Sequence, residues 1–263
     1  MKLHMIIANP AGNITAIVTD SFDRGDYQTI ARKLMAMKDF NIEQVGFEEP
    51  ASGCDGHIQM MGGEFCGNAS RSYGLYLIRS GRAKQRHFAV ISISGTDQLL
   101  NIEANEALTE ALVEMPPVKG FQMVETNTLG SLPLVEMEGI SHVLVIDNNA
   151  ETISADKNSP LMEELIGRLQ AEAIGIMYYN PEQQFLKPYI WVGQTATGIW
   201  ESSCGSGSVA LAAYLHREED EDFQLQIHEP GGILKVFRQD GVIKLGGPIH
   251  ISDVITVDIK DGE

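Results

Sequence analysis

The chain has 263 residues, 43% of them hydrophobic and 21% charged, the proportions of an ordinary water-soluble globular protein. A formal net charge of −17 argues against nucleic acid or an anionic membrane as partner, because both need basic surface. No run approaches the ~20 apolar residues of a membrane span. Three cysteines with no Cys-x-x-Cys spacing make no disulfide framework and point to a reducing, cytoplasmic setting.

The first segment, Met1 to Ala8, is too briefly apolar for a signal-peptide core and reads as a first strand, ended by Asn9-Pro10. Asp23 to Met37 carries apolar residues at Ile30, Leu34 and Met37, the spacing of an outer amphipathic helix. Glu43-Gln44-Val45-Gly46-Phe47 follows, then Gly53-Cys54-Asp55-Gly56, which reads as a turn, and an alternating strand-like stretch. Glu64-Phe65-Cys66-Gly67-Asn68-Ala69 then opens a helix expected over Asn68 to Ser80, stopped by Gly81. Phe88 to Gly95 alternates with period 2, as a half-buried strand does.

The second half keeps this order. A link is expected over Pro117 to Leu134 and an outer helix over Pro160 to Gln170. Glu172-Ala173-Ile174-Gly175-Ile176 matches Glu43 to Phe47. Glu201-Ser202-Ser203-Cys204-Gly205-Ser206-Gly207 matches the first cysteine turn, followed by a helix over Ser206 to Arg217 and an alternating strand over Phe223 to His228. The halves close on Met115-Pro116-Pro117 and Gly246-Gly247-Pro248. A divergent internal duplication predicts an α+β fold of two similar lobes related by a pseudo-two-fold axis, with a ligand bound where they meet. The expected boundaries are 1–117, completed by a C-terminal strand 249–263, and 118–248.

Both Cys66 and Cys204 are thus expected at helix N-termini. Unpaired backbone N–H groups and the helix dipole there lower a thiol's pKa and can hold a carboxylate. Gly67, Gly205 and Gly207 let a ligand approach the backbone. A thiolate on one face of an amino-acid α-carbon and a thiol on the other can remove and return its proton with no cofactor, while oriented donors stabilise the enolate-like charge. Their titrations would be coupled. Cys54 reads as a small, partly buried turn residue. No metal site is expected, since no His or Cys pair around either turn has ligand spacing. A redox dithiol is an alternative use of two thiols.

On these residues the chain resembles the diaminopimelate epimerase superfamily of cofactor-independent two-cysteine enzymes. The resemblance rests on Cys66-Gly67-Asn68-Ala69, on Glu201 to Gly207, on Ala11-Gly12-Asn13 and on Glu43-Gln44. Within it, the histidine racemase branch that serves staphylopine-type metallophore synthesis is more similar. Asn9 to Asn13, Glu43 to Phe47, Gly63 to Ala69, Ile199-Trp200-Glu201 with Ser203 to Gly207, and His228-Glu229-Pro230-Gly231-Gly232 carry that likeness. It implies two lobes, each a curved, mostly antiparallel sheet around a central helix, and Cys66 and Cys204 as the catalytic pair. It implies Gly67, Asn68, Gly205 and Ser206 at the α-carboxylate, and Asn13 at the substrate. Glu43 and Glu201 become candidates for the α-ammonium or imidazole, and Gln59 or His57 for a family Asn upstream of the first cysteine. Trp200 is a candidate pocket wall.

One departure narrows the substrate. Diaminopimelate epimerase carries an adjacent Glu-Arg pair upstream of its second cysteine. Here the stretch reads Gly193-Gln194-Thr195-Ala196-Thr197-Gly198-Ile199-Trp200. A buried distal carboxylate with no cation is costly, so a dicarboxylic diamino acid is disfavoured, and the resemblance to the histidine racemase branch implies histidine. The alternatives are another amino acid or diaminopimelate, a phenazine-biosynthesis-type isomerase, and a non-catalytic amino-acid-binding module. A small-molecule amino acid is the expected partner, and a homodimer stays open.

Overall fold

The computed structural model describes residues 1–149, 160–193, 197–219 and 221–259. The chain divides into two compact units: residues 1–114 with 246–263, and residues 115–245. Among the described residues no helix is long and apolar enough to cross a membrane.

The first unit begins with β1 (Lys2–Asn9) and β2 (Thr15–Val18), joined at Ala11-Gly12 and both at positive φ. A short 3₁₀ turn over Arg24–Asp26 leads into α1 (Tyr27–Met35). The expected helix is therefore shorter than its pattern, buried along Tyr27, Ile30, Ala31 and Leu34. β3 (Gln44–Glu49) runs parallel to β2, and β4 (Gly56–Met60) antiparallel to β3. α2 (Gly67–Arg79) then returns the chain to β5 (Phe88–Ile93), parallel to β4, and β6 (Leu100–Ala104) and β7 (Ala111–Glu114) extend the sheet antiparallel.

α2 packs along β4 to β7. Leu75 and Leu77 are fully buried, each contributing about 1.5–3 kcal/mol by leaving water. Gly74 lies where a side chain would strike Ile102 of β6, so the small residue sets the helix close to the sheet. The helix ends where Gly81 takes φ 71° and Arg82 N–H reaches back to the Leu77 carbonyl at 2.9 Å.

The second unit repeats this topology. β8 (Gly120–Thr126) and β9 (Gly130–Glu136) form a hairpin, and β10 (Ser141–Ile146) pairs antiparallel with β9. The stretch 117–134, expected as a link, is thus mostly sheet: Val124, Leu132 and Leu134 join the unit's core. α3 (Pro160–Leu169) precedes β11 (Ala173–Asn180), parallel to β10, and β12 (Phe185–Val192) is antiparallel to β11. The extra strand β13 (Thr197–Trp200) pairs with β12, and α4 (Gly205–Leu215) leads to β14 (Phe223–Glu229), β15 (Gly232–Gln239) and β16 (Val242–Gly246). Apolar residues surround α4, and Val209 to Ala212 are fully buried. β17 (His250–Ile251) and β18 (Ile255–Asp258) pair with β1 and complete the first unit.

The repeat extends to register. Gly46 of β3 faces Ile17 of β2, and Gly175 of β11 faces His142 of β10. The matched glycines of the two sequence repeats therefore occupy one topological position.

Candidate active site

Cys66 is the N-cap residue of α2, with extended backbone (φ −139°, ψ 112°). Its Sγ accepts the Ala69 N–H at 3.4 Å, and its carbonyl accepts from Ser70 N–H and Oγ–H. The sulfur thus takes the place of the oxygen that Ser or Asp offers at ordinary helix starts. The turn before it is held from below. Ser94 Oγ donates to the Glu64 carbonyl at 2.9 Å, and Gly95, at φ +78°, leaves room for the Glu64–Phe65 backbone. A β-carbon there would fall 2.2 Å from the Phe65 nitrogen. Gln59, on β4, bonds the Met60 carbonyl and lies against Gly63 of the same turn. Glu64 is exposed and accepts the Gly62 N–H.

Asn68 is 1% exposed, and its Oδ1 accepts from Nε of the fully buried Arg71, whose Nη1 reaches the Gly247 carbonyl at 2.8 Å. The Asn68 side chain is therefore a structural brace as well as a candidate carboxylate contact. Asn13 is also buried. Its Nδ2 donates to Glu43 Oε2 at 3.1 Å, and its Oδ1 accepts from Gln44 Nε2, which also donates to Thr15. Asn13, Glu43 and Gln44 thus form one hydrogen-bonded set where β2 and β3 begin. His57 Nδ1 lies 2.8 Å from Ser92 Oγ, and Nε2 lies 3.8 Å from Glu49. Cys54 is in a turn, its Sγ near the Gly56 carbonyl and Ser92.

In the second unit Cys204 is the N-cap of α4, again extended (φ −126°, ψ 106°), but its side chain makes no capping bond. The buried Glu229 holds the turn from the side: Oε2 accepts the Cys204 N–H at 2.7 Å and Oε1 accepts Ser208 Oγ–H at 2.5 Å. Ser206 Oγ lies 3.6 Å from Cys204 Sγ and 3.0 Å from His142 Nε2. Burial drives the Cys204 thiol pKa well up, and the Glu201 and Glu229 charges add to it; the Gly207 N–H and Ser206 hydroxyl pull it down. Glu201, half-buried, is thereby placed within electrostatic reach of the sulfur.

Two further residues settle differently from a pocket role. Trp200 packs against Tyr189 and Tyr178 at 5.0 and 5.6 Å, with Lys187 over its ring, as part of the core. His228 is exposed on β14, because the alternation that turns Glu229 inward turns its neighbour out. Gln194, Thr195 and Ala196, within the stretch where a Glu-Arg pair is missing, lie outside the described residues. Among the described residues no group of three or more His, Cys, Asp or Glu could hold a metal ion.

Glu229, read only as part of the motif at 228–232 with no role of its own, and His142 are the site neighbours that the sequence reading did not place. Inward alternation at Ile227 and Glu229 was the available signal for the first. His142 carries none, since its partner Ser206 is 64 residues away in sequence.

The family model described as the histidine racemase CntK N-terminal domain matches residues 2–252. A histidine racemase of Fusobacterium nucleatum is 33% identical over 95% of this chain and 94% of its own length. One from Staphylococcus aureus is 30% identical over 87% and 85%. In fold, the chain is similar to a phenazine biosynthesis protein of the PhzF family from Bacillus anthracis, with a TM-score of 0.71, 16% identity, and coverage of 98% of this chain and 100% of that one. It is also similar to a probable proline racemase from Agrobacterium radiobacter, with a TM-score of 0.66, 15% identity, and coverage of 96% and 93%. With that family model matching most of its length and those relatives at 30–33% identity, the chain belongs to the histidine racemase family.

Proposed function

We propose that the protein is a cofactor-independent racemase that interconverts L- and D-histidine, with Cys66 and Cys204 as the two bases. The carrying observation is that, in a histidine racemase family member, each cysteine is itself the N-cap residue of a buried helix. In one direction the thiolate of one cysteine removes the α-proton, and the thiol of the other delivers a proton to the opposite face. In the reverse direction the roles exchange. The first-turn N–H groups of α2 and α4, from Gly67, Asn68, Gly205 and Ser206, supply donors for the carboxylate on which charge develops. Glu43 and Glu201 supply negative charge for the α-ammonium and the imidazole, with Asn13 and Gln59 as further polar contacts.

Histidine is favoured over diaminopimelate by the family and by the relatives named above. All three cysteines are free thiols, which supports a reducing, cytoplasmic setting. The resemblance to the metallophore branch supports D-histidine as an intermediate supplied to metallophore synthesis.

The test is a panel of L-amino acids incubated with reduced protein in deuterated water, followed by α-hydrogen exchange and chiral analysis. Exchange and inversion of histidine above all others is expected. Exchange of diaminopimelate without histidine contradicts the substrate, and no exchange with any amino acid contradicts the racemase.

A further inference from the structure

His142 is 0% exposed. Its cross-strand partner is Gly175, and a β-carbon there would fall 2.3 Å from His142 Nδ1, so the ring edge lies against glycine backbone. Nδ1 has no hydrogen-bond partner. Nε2 faces Ser206 Oγ, and that oxygen faces Cys204 Sγ. Burial holds the imidazole neutral, with its pKa pushed down to about 3. A neutral imidazole has one N–H. A buried donor left without an acceptor costs about 1–3 kcal/mol, so the proton sits on Nε2, where Ser206 can accept it. The Ser206 hydrogen is then left to point at the sulfur.

The first unit supplies an internal reference. The residue opposite the matched glycine there is Ile17, fully buried. That position needs no polar group for the fold. The residue two beyond the cysteine is Asn68, and Arg71 holds its side chain. In the second unit the corresponding Ser206 is held by His142 instead.

We propose that His142 is a positioning residue for Cys204: its Nε2–H fixes the Ser206 hydroxyl so that the O–H donates to the Cys204 sulfur and stabilises the thiolate. The donor chain runs one way, from Nε2–H to Oγ and from O–H to Sγ, and no proton leaves His142. The Gly207 N–H acts in the same sense, while Glu201 and Glu229 oppose it. This deepens the proposed function, since a buried thiol whose pKa two carboxylate charges help to raise needs a counterweight to serve as a base.

The test reads thiolate content directly and needs no turnover. The full-length reduced protein is treated with iodoacetamide at one pH near 8, and the alkylation rates of Cys204 and Cys66 are followed by peptide mass spectrometry. Ser206→Ala should slow Cys204 about tenfold, the loss of one charge-assisted hydrogen bond. His142→Ile, which copies the first unit, should slow it at least about threefold, and His142→Gln, which keeps a donor at that reach, should stay within about twofold of wild type. Cys66, whose titration is coupled to that of Cys204, should change by less than Cys204 in every sample. Gly175→Ala, which crowds the Nδ1 edge, should slow Cys204 as His142→Ile does, and serves if the latter does not fold. An unchanged or faster Cys204 in Ser206→Ala overturns the proposal. So does wild-type reactivity in His142→Ile, or no rescue by His142→Gln. Slowed alkylation in a protein with no racemase activity sinks the proposed function and leaves this inference standing.

Discussion

The starts of α2 and α4 look alike in sequence and differ in chemistry. At α2 the sulfur of Cys66 caps its own helix and takes the Ala69 N–H. At α4 the Cys204 sulfur makes no such capping bond and faces Ser206 and Gly207, while the buried Glu229 carboxylate holds the Cys204 N–H and the Ser208 hydroxyl. The duplication preserved the extended cysteine and the helix behind it. The neighbours diverged, so equivalent thiols carry different electrostatic surroundings. A two-base racemase needs one thiolate and one thiol at a time, and unequal surroundings give that asymmetry without a cofactor.

The comparison breaks most sharply if either sulfur is removed. Cys66→Ala and Cys204→Ala should each lower histidine inversion by about a thousandfold or more, measured by chiral chromatography, while Cys54→Ala should leave it unchanged. Inversion at wild-type rate in either variant refutes the pairing. Next in size is Gly95→Ala, which places a β-carbon at positive φ against the Phe65 backbone. It should cost about 1–3 kcal/mol, lower the melting temperature and reduce activity by shifting the Cys66 turn alone. Unaltered melting would show that the turn is not seated on Gly95.

Glu229→Gln sharpens the other side. The buried amide presents one acceptor where two donors converge, so a loss of about 1–2 kcal/mol is expected. Removal of the charge should also make Cys204 more readily alkylated, with a smaller change at Cys66. A slower Cys204 would contradict the sign assigned to Glu229.

The smallest effect is on stability against pH. The folded protein raises the Cys204 thiol above its unfolded value. The native state therefore holds a proton that the unfolded chain gives up, and this contribution is complete below the unfolded thiol pKa of about 8.5. It is lost as pH rises from there toward the folded value. Denaturant titrations should show wild type losing stability above about pH 8.5 more steeply than Cys204→Ala. His142 acts in the opposite window: its pKa falls from 6.5 to about 3, so its contribution is present above pH 6.5 and is lost as pH falls toward 3. Parallel alkaline slopes for wild type and Cys204→Ala would contradict the buried-thiol assignment.

The helices α2 and α4 and the strands β5 and β14 were legible because period and punctuation agreed, as in Asn68 to Ser80 before Gly81. The hairpin of β8 and β9 was not. Its glycines and Pro133 look like a link, and only the burial of Leu132 and Leu134 against residues far along the chain makes it sheet. At the candidate site, the cysteines stood out because each begins a polar turn ahead of an apolar helix. Glu229 was hidden by its charge, which ordinarily marks a solvent face, and its inward position follows from the partners Cys204 N–H and Ser208. Asn68 was legible as a turn residue but not as the partner of a buried Arg71, a contact made possible when α2 forms.

The most direct measurement is early-time isotope placement in deuterated water with L-histidine as substrate. Two bases predict that the D-histidine formed carries solvent deuterium at Cα while the remaining L-histidine stays unlabelled. D-histidine that keeps the substrate hydrogen, or L-histidine labelled as fast as product appears, would contradict a two-cysteine mechanism.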